Sequence, residues 1–390
     1  MVHDPMLVEQ ALARARALLR ANLTPHGILA AGHTPAAEAR RYTRIFGRDA
    51  AICALGMLVS GDPTLRSGAR NGLRTLARYQ ADNGQIPKYV DAERGQADFW
   101  YLGCIDATLW WLIAVKLFAR LSGESGIEEA LAEPSRKALA WLGAQEHPQI
   151  FLVRQDEASD WADIMPRSGF VLYSNALWYY VKCLYGLPNR EATKFHFNHL
   201  FYPFSNDVPD YRRLRLLRHY VRNRAKGSEL YLSFVNFSFW GAEGDVFGNI
   251  LAILTGLADD GPANRIARVL ERASARSPYP MITVLEPIAA NDPLWRAYMG
   301  RHRQNLAWQY HNGGVWPFIG GFWVMALCTL GKRESAVTEL QRLAAANAVG
   351  NWSFVEWFHG RTGEARGMTG QSWNAAMLLL AHHALEHRVF

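Results

Sequence analysis

The 390-residue sequence predicts an all-α protein, a single-domain (α/α)6 barrel built from six helical hairpins. Three observations support this prediction. About a dozen segments have helical periodicity, and little of the chain has the alternation of a strand. Strongly apolar helices alternate with amphipathic helices that carry arginine and glutamate, as an inner and an outer ring require. Residues with reactive side chains recur in the loops between these helices.

The N-terminal half predicts a series of helices separated by loops. An amphipathic helix at 6–22 is followed by a loop that contains Gly and Pro, from 24 to 35. An apolar helix then begins at Asp49 and ends near Gly61. The remaining helices of this half are predicted at 64–81, 101–121, 126–145 and 170–186, with a loop or short strand at 84–91 and a loop at 159–169.

The segment from about 190 to 227 interrupts this order. It contains two helix candidates, one aromatic and one strongly basic, so we predict a cap-like insertion there. Residues 230–240 alternate and predict a short strand or loop. No linker composition separates domains, so we predict one domain over 1–390; a solenoid of helix pairs is the alternative, without a fixed-period repeat to support it. The C-terminal helices are predicted at 244–258, 262–275, 293–302, 318–331, 333–347 and 370–387.

Composition and charge narrow the class of protein. The 49% hydrophobic content predicts a large core, and 14 Trp and 15 Tyr predict a cleft with aromatic walls. Removing the seven arginines and lysines between 212 and 226 from the net charge of +7 leaves the rest of the chain near neutral. A single basic helix is more often a solvated face or a subunit contact than a nucleic-acid reader, so no nucleic-acid partner is predicted.

The cysteines and the apolar runs address the compartment. Cys53, Cys104, Cys183 and Cys328 lie far apart in apolar stretches and lack metal-ligand spacing, which predicts buried free thiols in a reducing cytoplasm. The N-terminus has no apolar signal core, and no apolar run reaches 18 residues. We therefore predict a cytoplasmic protein without a membrane segment.

Residues 351–373, NWSFVEWFHGRTGEARGMTGQSW, contain the strongest chemical signal. Glu356 lies among four aromatic residues, where desolvation can tune the pKa of its carboxyl for proton transfer. The glycines that follow predict a tight loop, and helical periodicity returns at Gln371. The alternative is a structural glutamate in an aromatic-rich loop.

Two carboxylates on opposite sides of a cleft are what glycosidic-bond hydrolysis needs. One carboxyl group, protonated, donates to the leaving oxygen, and the other activates water. We predict Asp163 and Glu356 as this pair, with Asp160 as the rival acid on spacing alone. Arg167 is close enough in sequence to orient Asp163 or to bind substrate. Asp49, at a helix start, is either a cap or directed into a cavity.

Other chemistries have less support. The sequence contains no GxSxG, HExxH or P-loop, and no GxGxxG followed by an acid. His311 lies in a Gly-rich loop without a second metal-like residue nearby, which predicts a hydrogen-bonding or loop-shaping role rather than a zinc ligand. We therefore predict no metal and no organic cofactor.

Five segments resemble a known family, the (α/α)6-barrel glycoside hydrolases that include neutral/alkaline invertases and the amylo-α-1,6-glucosidase part of glycogen-debranching enzymes. YTRIFGRDAAICALGMLVSGD (42–62) and IDATLWWLIAV (105–115) are similar to segments of both. DIMPRSG (163–169) resembles the acid-bearing loop, and QYHNGGVWP (309–317) resembles a neutral-invertase motif. EWFHGRTGEARGMTGQSWNAA (356–376) resembles the base-bearing loop of the debranching side.

The resemblance implies a function and a set of site residues. It implies an inverting exo-α-glycosidase with Asp163 as general acid and Glu356 as general base. Asp49 and Asp106 would bind hydroxyls of the released sugar. Further pocket residues by the same resemblance are Trp110, Trp308, Tyr310, His311, Asn312, Trp316, Trp357, Gln371 and Trp373.

The substrate stays open between a small sucrose-like saccharide and an α-1,6-glucoside or glucan end. The chain lacks a second transferase barrel and a β-rich glycan-binding domain, which favours a short substrate, whereas the base-bearing loop is similar to the debranching side. Two other functions remain as alternatives: a non-catalytic sugar-binding or regulatory barrel, and a helical-repeat interaction protein that binds through its basic helix. We also predict a homo-oligomer formed through 190–227.

Overall fold

The computed structural model describes residues 5–204, 212–224, 228–236 and 239–390, with the backbone alone for Pro5, 212–214 and 222–224. In the first half of the chain the helices are α1 (Pro5–Ala21), α2 (Pro35–Ala39), α3 (Gly47–Leu58), α4 (Pro63–Arg78), α5 (Ile105–Ser122), α6 (Gly126–Ala130), α7 (Ala132–Gln145) and α8 (Leu172–Tyr185). In the second half they are α9 (Arg190–Phe201), α10 (Arg212–Arg224), α11 (Val246–Leu254), α12 (Asp260–Arg276), α13 (Ala297–Gly300), α14 (Pro317–Thr329), α15 (Arg333–Trp352) and α16 (Ser372–His383).

Short antiparallel strands connect some of these helices. They are β1 (Leu23–Thr24), β2 (Gly27–Ile28), β3 (Ile45–Phe46), β4 (Tyr89–Asp91), β5 (Gln96–Asp98), β6 (Arg154–Gln155), β7 (Gly169–Val171), β8 (Phe234–Asn236), β9 (Phe239–Gly241), β10 (Trp357–Phe358) and β11 (Ala365–Arg366). They pair as β1-β2, β3-β4-β5, β6-β7-β8-β9 and β10-β11.

Six helices form a closed inner ring. Each packs against the next in the order α3, α5, α8, α11, α14 and α16, and α16 packs against α3 again. The closure confirms the predicted (α/α)6 barrel and excludes the open solenoid. Helices α4, α7, α9, α12 and α15 each pack outside the inner helix that precedes them, and α1 packs against α16.

The inner and outer helices differ in burial as their sequences predict. In α14, every residue from Pro317 to Leu327 is buried, because this helix is covered on all sides. The outer helix α4 buries only a stripe that includes Leu65, Leu73 and Leu76. Close packing of the ring needs small residues: a Cβ at Gly56 would lie 2.1 Å from the carbonyl oxygen of Ala376, so any side chain would force α3 and α16 apart.

The helix predicted at 293–302 is shorter, Ala297–Gly300, and the one predicted at 101–121 begins at Ile105. Two further differences affect how the helices are arranged. Residues 126–145 form two helices rather than one, because Pro134 has no N–H to continue the hydrogen-bond ladder across the break. The predicted insertion at 190–227 begins later than expected, because α9 is the outer helix that packs on α8. Only the part after Phe201 is additional to the six pairs. Residues 205–211 and 225–227, and the side chains of most of the basic run, lie outside the described residues.

Two further findings concern membrane-spanning segments and the cysteines. No helix in the described ranges is both long enough and apolar enough to cross a membrane. All four cysteines are free thiols, as predicted; Cys53 and Cys104 are buried, whereas Cys183 and Cys328 are half-buried.

Candidate active site

One side chain from the first turn of each inner helix contributes to a closed ring of contacts. Arg48 Nη1 lies 3.2 Å from Asp106 Oδ2, and the Tyr173 hydroxyl donates to the same oxygen at 3.1 Å. The ring continues through aromatic contacts from Tyr173 to Phe247, Phe318 and Trp373, and the Arg48 guanidinium lies over the Trp373 indole, 5.6 Å from its centroid. All six inner helices therefore begin at one end of the barrel, which we call the N-terminal face.

Two buried carboxylates, one in the ring and one beside it, surround Arg48. Asp49 and Asp106 are 5% and 0% exposed, and both pair with Arg48, at 3.1 and 3.2 Å. Burial raises the pKa of Asp49, and the nearby Asp106 adds to this effect, while Arg48 opposes it. Burial disfavours the Arg48 charge, but the two carboxylates outweigh burial and raise the pKa of Arg48. The cluster forms a polar floor: its carboxylates can accept hydrogen bonds from hydroxyl groups, and its guanidinium group can donate hydrogen bonds to them.

Glu356 is held by the β10–β11 hairpin at the same face. Its side chain is buried; Oε1 accepts a hydrogen bond from the Tyr42 hydroxyl at 2.8 Å, and Oε2 accepts one from the Met368 N–H at 2.8 Å. Burial raises the pKa of Glu356 to about 7, although both hydrogen bonds favour the carboxylate. A carboxyl group with this pKa can exchange a proton near neutral pH.

Gly367 makes room for that carboxylate. Its φ is +79°, and a Cβ at this position would lie 2.3 Å from Glu356 Oε2. Glycine is required here twice, by the left-handed backbone and by the close approach of the carboxylate.

Tyr310 connects Glu356 to the second predicted catalytic residue, Asp163. The Tyr310 and Tyr42 hydroxyls interact through a hydrogen bond, and Tyr42 donates to Glu356. Burial raises the pKa of Tyr310, and the charges of Glu356 and Asp163 raise it further. The charges of both carboxylates therefore act on the same phenol.

Asp163 is the more accessible of the two candidate acids. Its side chain is 34% exposed, and Oδ2 lies 3.3 Å from Lys88 Nζ, which in turn lies 3.9 Å above the Trp100 ring. Asp160, the rival acid, is 3% exposed, and its two oxygens accept hydrogen bonds from the Ala162 N–H and the Gln155 amide. Because both carboxylate oxygens of Asp160 already accept hydrogen bonds within the protein, a structural role is favoured for this residue.

Arg167 does not pair with Asp163, contrary to one of the two roles considered from the sequence. Its guanidinium is 1% exposed and lies 3.2 Å from Asp245 Oδ1 and 3.7 Å from Glu243 Oε1. Burial raises the pKa of Asp245 to about 6, while Arg167 lowers it. The buried group fixes the end of the loop that carries Asp163 to the start of α11.

Aromatic side chains surround the N-terminal face. Trp161 contacts His311 and Trp316 edge-on, and His311 stacks on Trp316 with ring centroids 5.3 Å apart. Burial, together with the charges of Arg167, Arg48 and Lys88, lowers the pKa of His311 well below its usual value, so the imidazole is neutral at pH 7. Trp357 contacts Tyr310 edge-on. Flat rings of this kind suit the apolar faces of sugars.

Several polar atoms among these residues are buried without a hydrogen-bond partner in the described part of the chain. They include both amide atoms of Gln371, the indole N–H of Trp373 and Nδ1 of His311. Buried polar groups are rarely left unpaired, so their concentration beside Glu356 and Arg48 indicates a site for a ligand rich in hydroxyl groups.

Three predicted pocket residues have other surroundings. Trp110 lies one turn below the ring, fully buried, and its N–H donates to Tyr173. The Asn312 amide is used by the backbone of Ile288 and Asn305, so it holds its loop together. Trp308 lies in a separate cavity against α12, where Arg361 covers its ring. Across the described part of the chain, none of the three side chains forms a hydrogen bond with Asp163 or Glu356; Trp110 supports the ring through Tyr173, which donates to Asp106.

Four residues of the site were missed by reasoning from the sequence. Tyr42 and Arg48 lie inside the 42–62 motif, so their proximity to Asp49 was a usable signal. Tyr173 and Lys88 gave no usable sequence signal, because their role depends on how distant segments meet.

Within the described ranges, no group of three or more His, Cys, Asp or Glu side chains is arranged to hold a metal ion.

The fold alone does not fix an activity, but the class of (α/α)6 glycoside hydrolases combines such a six-hairpin barrel with carboxylates and aromatic residues at the site. Family comparison supports this class: residues 235–388 match the alkaline and neutral invertase model, and residues 22–147 match the amylo-alpha-1,6-glucosidase model. The probable alkaline/neutral invertase D of Arabidopsis thaliana is 22% identical over 98% of this chain and 82% of its own length. Cytosolic invertase 1 of Oryza sativa subsp. japonica is 23% identical, over 97% and 77%.

Solved structures show the same fold. A GH63 mannosylglycerate hydrolase from Thermus thermophilus, in complex with Tris and D-glycerate, superposes with a TM-score of 0.65 at 16% identity, covering 95% of this chain and 99% of that one. A wild-type glycosidase superposes with a TM-score of 0.61 at 15% identity, covering 98% of each chain. The chain is a glycosidase of the (α/α)6 type, similar to the neutral/alkaline invertases and the amylo-α-1,6-glucosidases.

Proposed function

We propose that this glycosidase is an inverting exo-α-glycosidase that cleaves an α-glucosidic bond at the N-terminal face. The observation that carries the proposal is the position of Glu356, which is buried at the N-terminal face and accepts hydrogen bonds from Tyr42 and Met368. The charges of Glu356 and Asp163 both raise the pKa of the neighbouring Tyr310 phenol. Two carboxyl groups around one aromatic-lined site are the arrangement that glycoside hydrolysis uses.

Glu356 is the general base and Asp163 the general acid in this proposal. Glu356, deprotonated above pH 7, takes a proton from a water molecule that attacks the anomeric carbon. Asp163, the half-buried carboxyl group, donates a proton to the leaving oxygen as the glycosidic bond breaks. The water attacks from the face opposite the leaving group, so the product has the inverted configuration, and a carboxyl separation of about 6.5–9.5 Å is expected.

The polar floor binds the sugar that is released. Asp49, Arg48 and Asp106 present one guanidinium and two carboxylates to the hydroxyls, and Gln371 and Trp373 supply hydrogen-bonding atoms that lack partners in the described residues. Charge-assisted hydrogen bonds in a buried site are strong, and they hold the ring while the anomeric carbon reacts.

The pH dependence of the activity follows from the pKa of Glu356. We expect kcat/KM to rise with pH through about pH 7, because the base must be ionised. Replacing Tyr42 by Phe removes a hydrogen bond that lowers this pKa, so the acidic limb should move to higher pH. Initial rates from pH 5 to 9 test both statements, and a limb that stays in place in Tyr42→Phe would contradict the assignment of the base.

Gly367→Ala is expected to reduce both stability and activity. The left-handed backbone costs alanine about 1–2 kcal/mol, and the new Cβ displaces the Glu356 carboxylate from its hydrogen bonds. Gly256→Ala is a matched control, because Gly256 has a φ of +71° and open space around its Cβ. Thermal unfolding should show a loss in both variants, whereas kcat should fall in Gly367→Ala alone. Equal activity in the two would count against the proposed position of the base.

The substrate in this proposal is a small saccharide or a glucan end, either sucrose-like or an α-1,6-glucoside. The two family matches support different halves of that choice, the invertase model at the C-terminal part and the glucosidase model at the N-terminal part. Sucrose, trehalose, isomaltose, panose, limit dextrin and mannosylglycerate form the test panel. Mannosylglycerate is included because one protein of the same fold is a mannosylglycerate hydrolase. Turnover of mannosylglycerate alone would overturn the α-glucoside proposal.

A non-catalytic sugar-binding barrel is the second candidate function, and the surroundings of Glu356 argue against it. A protein that only binds sugar has no need to bury a carboxyl group with a pKa of about 7 beside a neighbouring acid. We further propose a cytoplasmic location and a homo-oligomer formed through residues 190–227. Light scattering at micromolar concentration tests the second, and a monomer would contradict it.

A further inference from the structure

A second cavity lies at the rim of the barrel, away from the paired carboxylates. It has a volume of about 340 Å3, near the lower end of the roughly 300–1,000 Å3 of small-molecule sites. Its walls come from the outer helix α12, the segment that includes Ile282 and Leu285, Trp308, and the turn of the β10–β11 hairpin at Gly360 and Arg361. Its lining contains neither Asp163 nor Glu356.

The charge of this cavity has one sign. Three arginines line it, Arg272, Arg276 and Arg361, and no acidic residue does. Glu229 neutralises Arg272 through an ion pair at 2.7 Å. Across the described part of the chain, Arg276 and Arg361 have no ion-pair partner. The Arg361 guanidinium is 4.3 Å from the Trp308 ring centroid, so stacking holds it at the edge of the cavity.

We propose that this cavity binds a small phosphate-bearing molecule. Arg276 lines the cavity from α12 and Arg361 from the hairpin turn, and guanidinium groups are planar donors that match phosphate oxygens. Trp308, Ile282 and Leu285 supply an apolar wall for the body that carries the phosphate. The proposal does not depend on the reaction assigned to the N-terminal face.

The ligand would also restrain the segments that hold the catalytic residues. The Gly360 N–H donates to the Trp308 carbonyl at 2.8 Å, and the Trp308 N–H donates to the Asn312 carbonyl at 2.8 Å. Tyr310 lies within the second of these turns, and Glu356 lies four residues before Gly360. A phosphate that bridges α12 and the hairpin turn therefore links an outer helix to the segments that carry Tyr310 and Glu356.

Calorimetry on the full chain tests the site. We would titrate glucose 6-phosphate, inorganic phosphate and glucose into the wild type and into Arg276→Gln and Arg361→Gln. Arg268→Gln is the matched control, because Arg268 is an exposed residue of α12 outside the cavity lining. We expect a phosphate-bearing ligand to bind the wild type and Arg268→Gln with equal affinity. Each cavity variant should bind the ligand at least about tenfold more weakly.

The ligands and variants separate the outcomes. Tighter binding of glucose 6-phosphate than of inorganic phosphate identifies a sugar phosphate, and equal binding identifies free phosphate; both support the site. No binding of either below millimolar concentration overturns it. So does binding that both cavity variants retain, because the phosphate would then be held elsewhere. Hydrogen exchange should show protection at 308–313 and 356–366 on binding, and unchanged exchange there would contradict the link to these segments.

Discussion

Glu356→Gln is expected to lower kcat by about 10²- to 10⁴-fold, the usual contribution of a general base. The amide retains the shape of the side chain but cannot take a proton from water. KM should change little, because the residues proposed to bind the sugar, Asp49, Asp106 and Arg48, are untouched. Steady-state kinetics at pH 8, where wild-type Glu356 is ionised, measures the effect.

The same variant is expected to become relatively more stable as the pH rises. The folded pKa of about 7 lies above the unfolded value of 4.5, so wild-type folding is favoured most below pH 4.5 and this contribution is lost between pH 4.5 and 7. The loss amounts to about 3 kcal/mol at 1.36 kcal/mol per pH unit. Glu356→Gln has no ionisable carboxyl group at this position and does not undergo this loss. Its free energy of unfolding should therefore approach or exceed that of the wild type at pH 8.

Glu364→Gln is the control for both effects. Glu364 lies on the same hairpin, exposed and paired with Arg366, so its replacement should leave kcat and the pH dependence of stability unchanged. Near wild-type turnover in Glu356→Gln would remove Glu356 from the proposed mechanism. A similar fall in both variants would point to damage of the hairpin rather than loss of a base.

Asp163→Asn is expected to slow the cleavage of natural glycosides by about 10²- to 10⁴-fold. The reason is that an alkoxide leaving group needs a proton as the bond breaks. Fluoride leaves without protonation, so an α-glucosyl fluoride should be hydrolysed by Asp163→Asn much closer to the wild-type rate. The ratio of the two activities, measured on wild type and variant, isolates proton donation from binding.

Asp160→Asn separates the two candidate acids. Its oxygens accept hydrogen bonds from the Ala162 N–H and the Gln155 amide, so we expect lower stability and an unchanged ratio of fluoride to glycoside turnover. A selective loss of glycoside turnover in Asp160→Asn, with normal fluoride turnover, would exchange the roles of Asp160 and Asp163.

The fold could be predicted from local sequence patterns, because the inner helices are apolar along their length and the outer helices are amphipathic. The apolar segment of α14 and the amphipathic stripe of α4 differ in sequence as they differ in burial. The break at Pro134 and the outer position of α9 were not predicted, because a helix boundary and a packing partner depend on neighbours distant in sequence. Aromatic and basic residues in α9 and α10 resembled an insertion, although α9 completes a hairpin with α8.

The candidate site could be predicted in its residue types but not in its contacts. The aromatic surroundings of Glu356 predicted a perturbed carboxyl group, and burial raises the pKa of that group to about 7. The hydrogen bond from Tyr42 to Glu356 joins residues 314 positions apart, so no local sequence pattern predicts it. Trp308 was predicted for the pocket by its motif, yet its positive φ of 69° accompanies a side chain that lies in the rim cavity.

The configuration of the released sugar tests the central claim most directly. Proton NMR during the first minutes of hydrolysis of the best substrate in the panel distinguishes the two anomers of glucose before they equilibrate. An inverting exo-α-glucosidase releases β-glucose first, and the α-anomer then grows in by mutarotation. α-Glucose as the first product would contradict the mechanism in which Glu356 activates water and Asp163 protonates the leaving group.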